Sequence, residues 1–256
     1  MNKLSVVIIT LNEEYNIKKC LDSVKDIANE IVVVDSFSTD KTEEICKQYD
    51  DLVFIQHKFE NYGKQKQFAI NQASNDLIFS IDADESLSKD LITEIKAIKE
   101  NELQFNGYYI RRQTFYQGKV LQFCGMHSEK HLRLFNRKEG KISDVTVHEK
   151  FLMNLSCGIL KNKMIHYPYR NLAHHLEKIN QYTSLFAKEN ANKKPCSKTK
   201  VFTKCSIRFF TIYFIKLAIL DGYSGFIWAV MGSYYSFLKY AKISEIQKLK
   251  SSSSIS

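Results

Sequence analysis

The sequence predicts an α/β fold: a parallel-core mixed sheet flanked by helices, followed by a helical, basic and aromatic C-terminal extension. Three observations predict it. Four runs of apolar and β-branched residues, 4–9, 30–34, 51–57 and 77–81, alternate with helical patterns over the first hundred residues. Such alternation builds right-handed βαβ units on a parallel sheet. After Phe105 the helical patterns give way to short strands parted by glycine-bearing turns, which extends the sheet with mixed or antiparallel strands. From Leu172 onward the pattern is helical again, and its last third is rich in Phe, Tyr, Ile and Leu.

Taken in order, residues 4–9 form a buried strand. Asn12, Glu13 and Glu14 open a helix with Ile17, Cys20, Leu21 and Val24 at helical spacing. Residues 30–34 are a second strand ending in Asp35. Thr39 or Asp40 caps the helix of Thr42, Ile45, Cys46 and Tyr49. Residues 51–57 are the third strand, and residues 63–73 a helix with Phe68 and Ile70 inward. Residues 77–81 are the fourth strand, running straight into Asp82-Ala83-Asp84-Glu85. Ser88 then caps a helix over 90–101, through Leu91, Ile92, Ile95 and Ile98. Short strands follow at 107–114, 119–123, 130–135 and 147–153. Residues 172–191 make one long helix whose apolar face is Leu172, Leu176, Ile179, Tyr182, Leu185 and Phe186.

Residues 206–220 and 223–238 form an aromatic helical pair. The second holds 16 uncharged residues, short of the ~20 that a spanning helix needs. The pair therefore either lies on a bilayer surface or packs as a hairpin on the sheet domain, and both readings stand. Residues 251–256 are a low-complexity end, expected to be unstructured. The organisation expected is a sheet domain over 1–160, a helical region over 161–250 and a tail over 251–256.

Bulk properties narrow the function. The 256 residues, 44% hydrophobic and 25% charged, suit a folded chain with a large core. Six cysteines without C-x-x-C spacing give neither a zinc pattern nor a disulfide framework. The apolar run after Lys3 is too short for a signal peptide, so a cytoplasmic location is expected. The net charge of +9 is uneven: residues 1–160 carry −3 and residues 161–216 carry +10. The later segment thus faces an anionic surface or ligand. No helix-turn-helix, RNP-like or zinc-finger pattern accompanies the basic segment, and nucleic acid is not expected as a partner.

The chemistry lies at three strand ends. In an open α/β sheet, ligands bind at the carboxyl ends of strands. Here these ends carry Thr10-Leu11-Asn12-Glu13, Asp35 with Ser38-Thr39-Asp40, and Asp82-Ala83-Asp84. Carboxylates at i and i+2 can share a hard divalent cation whose remaining positions go to water and substrate phosphate. Neither a G-x-G-x-x-G nor a G-x-x-x-x-G-K-[ST] loop is present to cradle phosphates, which leaves charge neutralisation to a metal. Asp35 suits an acceptor for a nucleobase N–H, and Lys64 and Lys66 could reach the base or a diphosphate.

These three motifs together, at this spacing, resemble the nucleotide-sugar half of a family 2 glycosyltransferase of the GT-A fold. His131-Leu132-Arg133-Leu134-Phe135, Val147-His148-Glu149 and Asp221-Gly222-Tyr223-Ser224-Gly225-Phe226 extend the resemblance to the subgroup containing lipopolysaccharide-core β-1,4-glucosyltransferases. The resemblance implies an inverting transfer of a hexose from a UDP-sugar to a sugar hydroxyl of a lipid-linked saccharide acceptor. It places Thr10, Asn12, Glu13, Asp35, Lys66 and Asp82 at the nucleotide, and Mg²⁺ or Mn²⁺ on Asp82 and Asp84. The acceptor half lacks the paired Glu-Asp that supplies a base in many relatives. Glu149 is the expected base, with Asp144 the second choice; His148 orients the base, binds anionic groups of the acceptor or is a satisfied polar residue, and these readings stay open. Arg133 and Arg137 suit phosphate oxygens. The basic and aromatic stretch 193–242 implies peripheral docking on the anionic inner face of the cytoplasmic membrane. A polyprenyl-phosphate or surface-polysaccharide acceptor is the alternative. A non-enzymatic membrane- or nucleic-acid-binding module is the rival from another class.

Overall fold

The computed structural model describes residues 2–125, 129–142, 151–153, 156–192 and 197–253. The chain divides into two compact units. One comprises Met1–Gln113 with Ser128–Tyr167, and the other Thr114–His127 with Pro168–Ser256. The boundary expected after residue 160 thus moves to Tyr167, because the strand Cys157–His166 continues through it with Leu160 and Met164 buried. The segment from Thr114 also leaves the first half for the second.

The first unit is built on β1 (Leu4–Thr10), α1 (Ile17–Val24), β2 (Glu30–Asp35), α2 (Thr42–Cys46), β3 (Leu52–Gln56), α3 (Tyr62–Gln72) and β4 (Leu77–Asp82). Next come β5 (Glu85–Leu87), α4 (Lys89–Glu100), β6 (Gly107–Tyr116), β8 (Lys130–Asn136), β9 (Gly140–Ile142), β10 (Phe151–Met153) and β11 (Cys157–His166); β7 (Lys119–Val120), between β6 and β8 in the chain, falls in the second unit. Among the described residues the main sheet runs β3-β2-β1-β4-β8-β6-β11-β5. Its first four strands are parallel, and β8 joins β4 antiparallel. Every residue of β1 is buried, as expected of the central strand of a sheet covered on both faces. Leu4, Val6, Ile8 and Phe79 pack on α1 and α4 residues on one side, while Val7, Ile9 and Ile78 pack on Ala69 and Ile70 of α3 on the other.

The helix starts show local chemistry at work. α1 begins at Ile17 and not near Asn12, because Asn12 takes a left-handed conformation (φ 54°) and binds the neighbouring loop. Ser88 Oγ accepts from Leu91 N at 3.2 Å and caps α4 as expected, and Asn61 caps α3 on Lys64 N at 2.9 Å. The strand expected over 147–153 is present at 151–153; residues 147–150 lie outside the described set.

The second unit contains β7 against the end of β6, then α5 (Leu172–Asn190), α6 (Lys198–Phe210) and α7 (Gly222–Ser253). A π-helical turn, Thr211–Ile215, and a 3₁₀ turn, Ala218–Asp221, join α6 to α7. α6 starts eight residues before the expected helix, on a Ser197 cap to Lys200 N. α7 runs to Ser253, so residues 251–253 are helical rather than loose; no glycine or proline interrupts the backbone ladder after Gly232.

The buried stripe of α5 also differs from expectation. It is His175, Ile179, Thr183 and Ala187, whereas Leu172, Leu176, Tyr182 and Leu185 are exposed. Along α5, Lys242 Nζ of α7 donates to the Asn180 carbonyl, Thr183 Oγ1 and Ser184 Oγ, and Lys239 lies over the Phe186 ring at 3.6 Å.

Candidate functional site

The register of the parallel strands assembles the site. Thr10 on β1 pairs with Asp35 on β2, and Ile9 beside it pairs with Asp82 on β4. Three expected positions are therefore brought to one carboxyl edge of one sheet. Two loops are laced together above it. Asn12 Oδ1 accepts from Thr39 N at 2.8 Å, and Asn12 N donates to Ser38 Oγ at 2.8 Å. Asp40 accepts from Glu14 N and Thr42 N, each at 3.0 Å. Burial would raise the Asp40 carboxyl, but these bonds hold it below the usual carboxylate range.

Each expected nucleotide contact has a definable state. Thr10 Oγ1 is buried without a hydrogen-bond partner among the described residues. Asp35 is fully buried; Ser38 N donates to its Oδ2 at 2.8 Å and Ser38 Oγ to its Oδ1. A carboxylate accepts about four bonds, so further acceptor capacity remains on Asp35. Glu13 turns back to Asn16 Nδ2 at 2.8 Å and serves the start of α1.

Asp82 and Asp84 are adjacent but engaged differently. Arg133 Nη2 donates to Asp82 Oδ2 at 2.8 Å and to Glu85 Oε1 at 2.7 Å, and Lys66 Nζ lies 3.1 Å from Asp82 Oδ1. Glu85 is fully buried; its Oε2 accepts from Asp82 N, and Arg112 reaches its Oε1 at 3.4 Å. Burial alone would raise the Asp82 carboxyl, but Arg133 and Lys66 outweigh it and hold the group far below the carboxylate range. Asp82 is thus the anchor of a buried ion network. Asp84 Oδ2 instead meets His166 Nε2 at 3.2 Å. The antiparallel pairing of β5 with β11, Glu85 opposite His166, creates that meeting, and Tyr167 N donates to the Asp84 carbonyl at 2.8 Å.

His166 is the residue that sequence reasoning missed. It lies 82 positions from Asp84 at the end of β11, a strand absent from the sequence expectations. His131, in the expected acceptor motif, sits half-buried beside the same network, its buried Nε2 without a hydrogen-bond partner among the described residues. Burial first, then Arg133 and Arg112, push its imidazole down to about 3, so it is neutral at physiological pH. Arg137 is spent elsewhere, on the Ile70 and Ala73 carbonyls and on Asp76. Cys20, Cys46 and Cys124 are buried, and burial pushes the Cys46 and Cys124 thiols up to about 12, which removes them as nucleophiles. Asp144, His148 and Glu149 lie outside the described residues.

Fold and site together define an α/β protein that gathers polar and acidic side chains at the carboxyl edge of its sheet. The pattern of glycosyl transferase family 2 matches residues 5–154. LpsC, the lipopolysaccharide core biosynthesis glycosyltransferase of Rhizobium meliloti, is 33% identical, covering 96% of this chain and 94% of its own. An uncharacterized glycosyltransferase of Rickettsia typhi is 31% identical over 96% of this chain and 88% of its own. A crystal structure of S. aureus TarS 1–349 in complex with UDP aligns at a TM-score of 0.49 and 16% identity, over 98% of this chain and 92% of that one. The chain belongs to glycosyl transferase family 2, and its sheet domain is a GT-A fold.

Proposed function

We propose that this chain is an inverting hexosyltransferase that moves glucose from a UDP-sugar to a sugar hydroxyl of a lipid-linked acceptor in the lipopolysaccharide inner core. The observation that carries the reading is the common edge of Thr10, Asp35 and Asp82, with the Asp84–His166 pair beside it. The similarity to LpsC along nearly the whole chain supports the acceptor class.

Asp84 and His166 fit a divalent cation that keeps few protein ligands. Among the described residues no three His, Cys, Asp or Glu side chains converge, and Mg²⁺ or Mn²⁺ with one carboxylate, one imidazole, waters and a diphosphate needs no third. When bound, the cation neutralises charge on the departing diphosphate. In this reading Asp82 is not a ligand; it holds Lys66 and Arg133 in place as fixed positive charge near the phosphates. Thr10 Oγ1 and Asp35 serve the nucleoside, and Asn12 shapes the loop that borders it.

The proposed base is Glu149, with Asp144 second and His148 orienting the pair. Glu149→Gln is expected to bind UDP-sugar as the wild type does and to lose about 10²–10⁴-fold in transfer, the range for a general base. Transfer killed by Asp144→Asn and spared by Glu149→Gln would exchange the two roles. Donor identity is tested by UDP release with glucose, galactose, N-acetylglucosamine and N-acetylgalactosamine donors. UDP-glucose should turn over fastest; release from none of them would remove the transferase reading.

Residues 193–242 are proposed to dock on the anionic cytoplasmic face of the membrane, where such an acceptor resides. Among the described residues no single helix is long and apolar enough to cross a bilayer. Sedimentation with anionic vesicles should carry the protein down, and salt should weaken that binding.

A further inference from the structure

Between Asn190 and Ser244 the sequence has one acidic residue, Asp221, against nine Lys and Arg. The structure takes that one carboxylate off the surface. Asp221 is 3% exposed; its side chain accepts from Gln122 N and Phe123 N at 2.9 Å each and from Cys124 Sγ at 3.3 Å. Lys119 Nζ donates to its backbone carbonyl. Two backbone amides and a thiol thus tie this carboxylate to the Gln122–Cys124 segment and away from the surface.

Asp221 ends an unusual bend. α6 gives way to the π-helical turn, Leu217 follows in a left-handed conformation (φ 57°), and the 3₁₀ turn leads into α7, with the two arms bent by 69°. A left-handed leucine is held only where surrounding structure fixes it. Gly225 permits this fixation, because a Cβ there would collide with the Ala218 carbonyl oxygen.

The bend presents its apolar residues outward. Ile215 is 77% exposed, Tyr223 74% and Leu220 61%, and Phe210, Phe214 and Leu217 are also exposed. The Phe210 and Phe214 rings stack at 5.6 Å, so these side chains form a patch and are not scattered singly. Patches of this kind mark interaction surfaces. Lys200, Lys204 and Arg208 lie on α6 leading into the bend, and Lys216 sits within it. Aromatic and aliphatic residues at a tip, cations behind them and the sole carboxylate buried are complementary to an anionic bilayer and to little else.

Building on the proposed membrane docking, we infer that the bend 210–223 enters the bilayer interface as a re-entrant tip, with Arg208 and Lys216 at the lipid phosphates. Asp221 is the pin that shapes the tip and keeps negative charge out of it.

Flotation of the full chain with phosphatidylglycerol-containing vesicles tests this at low and high salt. The double variant Ile215→Glu/Leu220→Glu changes exposed residues only. It should lose salt-resistant flotation by about tenfold or more, while UDP binding and the emission of Trp228, packed by Tyr116, Tyr169 and His175, stay at wild-type values. The variant Lys200→Gln/Lys204→Gln should lose low-salt capture and keep the salt-resistant fraction. Wild-type flotation by the glutamate variant overturns the tip and leaves membrane docking intact. Failure of the wild type to float overturns both. A wild-type dimer in vesicle-free solution that the glutamate variant dissolves would assign the patch to a second copy and overturn the tip.

Discussion

Asp84→Ala is expected to fold normally, to lose Mn²⁺ binding in a metal titration followed by electron paramagnetic resonance, and to release UDP about 10³-fold more slowly. The size follows from the several kcal/mol of charge stabilisation that a divalent cation supplies to a leaving phosphate, at about 1.4 kcal/mol for each factor of ten. Normal folding is expected because the backbone part of the arrangement survives. Tyr167 N still meets the residue-84 carbonyl, and β5 still pairs with β11. His166→Ala should weaken Mn²⁺ in the same titration, since it removes the second donor of the pair. Wild-type Mn²⁺ affinity in Asp84→Ala would dissolve the metal assignment, whatever the turnover.

Arg133→Met is expected to do something different: to destabilise the sheet domain by about 3–5 kcal/mol, the usual effect of removing one partner from a buried ion pair. At about 2–4 °C per kcal/mol for a chain of this size, thermal unfolding followed by circular dichroism should shift down by roughly 10 °C. Arg133 is buried, and its loss removes the one cation shared by the Asp82 and Glu85 carboxylates, leaving Asp82 with Lys66 and Glu85 with the 3.4 Å contact from Arg112. Arg133→Lys should recover part of the loss, since one ammonium can replace the single nitrogen, Nη2, that meets both acids, while the Nη1 contact with the Ser80 carbonyl is lost.

The pH dependence separates the two proteins. In the wild type the Asp82 carboxyl lies far below its unfolded value. Its stabilisation is therefore present above about pH 4 and lost as pH falls below that. In Arg133→Met the Asp82 carboxyl keeps Lys66 but loses its stronger cation, so less of this stabilisation is present. The gap in unfolding temperature between wild type and variant should therefore narrow as pH falls below about 4. A gap independent of pH would mean that Arg133 acts by packing alone.

These two substitutions touch neighbours in one acidic run, and the sequence did not distinguish them. Asp82-Ala83-Asp84 showed that carboxylates stand at a strand end, because an apolar run of β-formers leading into acids is a local pattern. Which acid is neutralised by Arg133 and which meets His166 depends on strands that arrive from 51 and 82 residues away. The same limit explains α5. Its helical period was legible, but its inward face depends on contacts with α7, and the exposed Leu172 and Leu185 outline the stripe that periodicity favoured. It also explains the departure of Thr114–His127 to the second unit, where Asp221 binds the Gln122 and Phe123 amides.

By itself the sequence determined the strand–helix alternation, the cap at Ser88, the three acidic or polar strand ends and the family these motifs mark. All of these rest on neighbours within a few residues, where side-chain size, branching and capping chemistry act directly on the backbone. Only the tertiary structure decided that Asp82 is an ion-network anchor, that His166 stands at Asp84, and that the one acid of the basic segment is buried beneath an apolar tip. Charges and hydrogen-bond donors act through space, and the fold alone sets which of them come within a few ångströms.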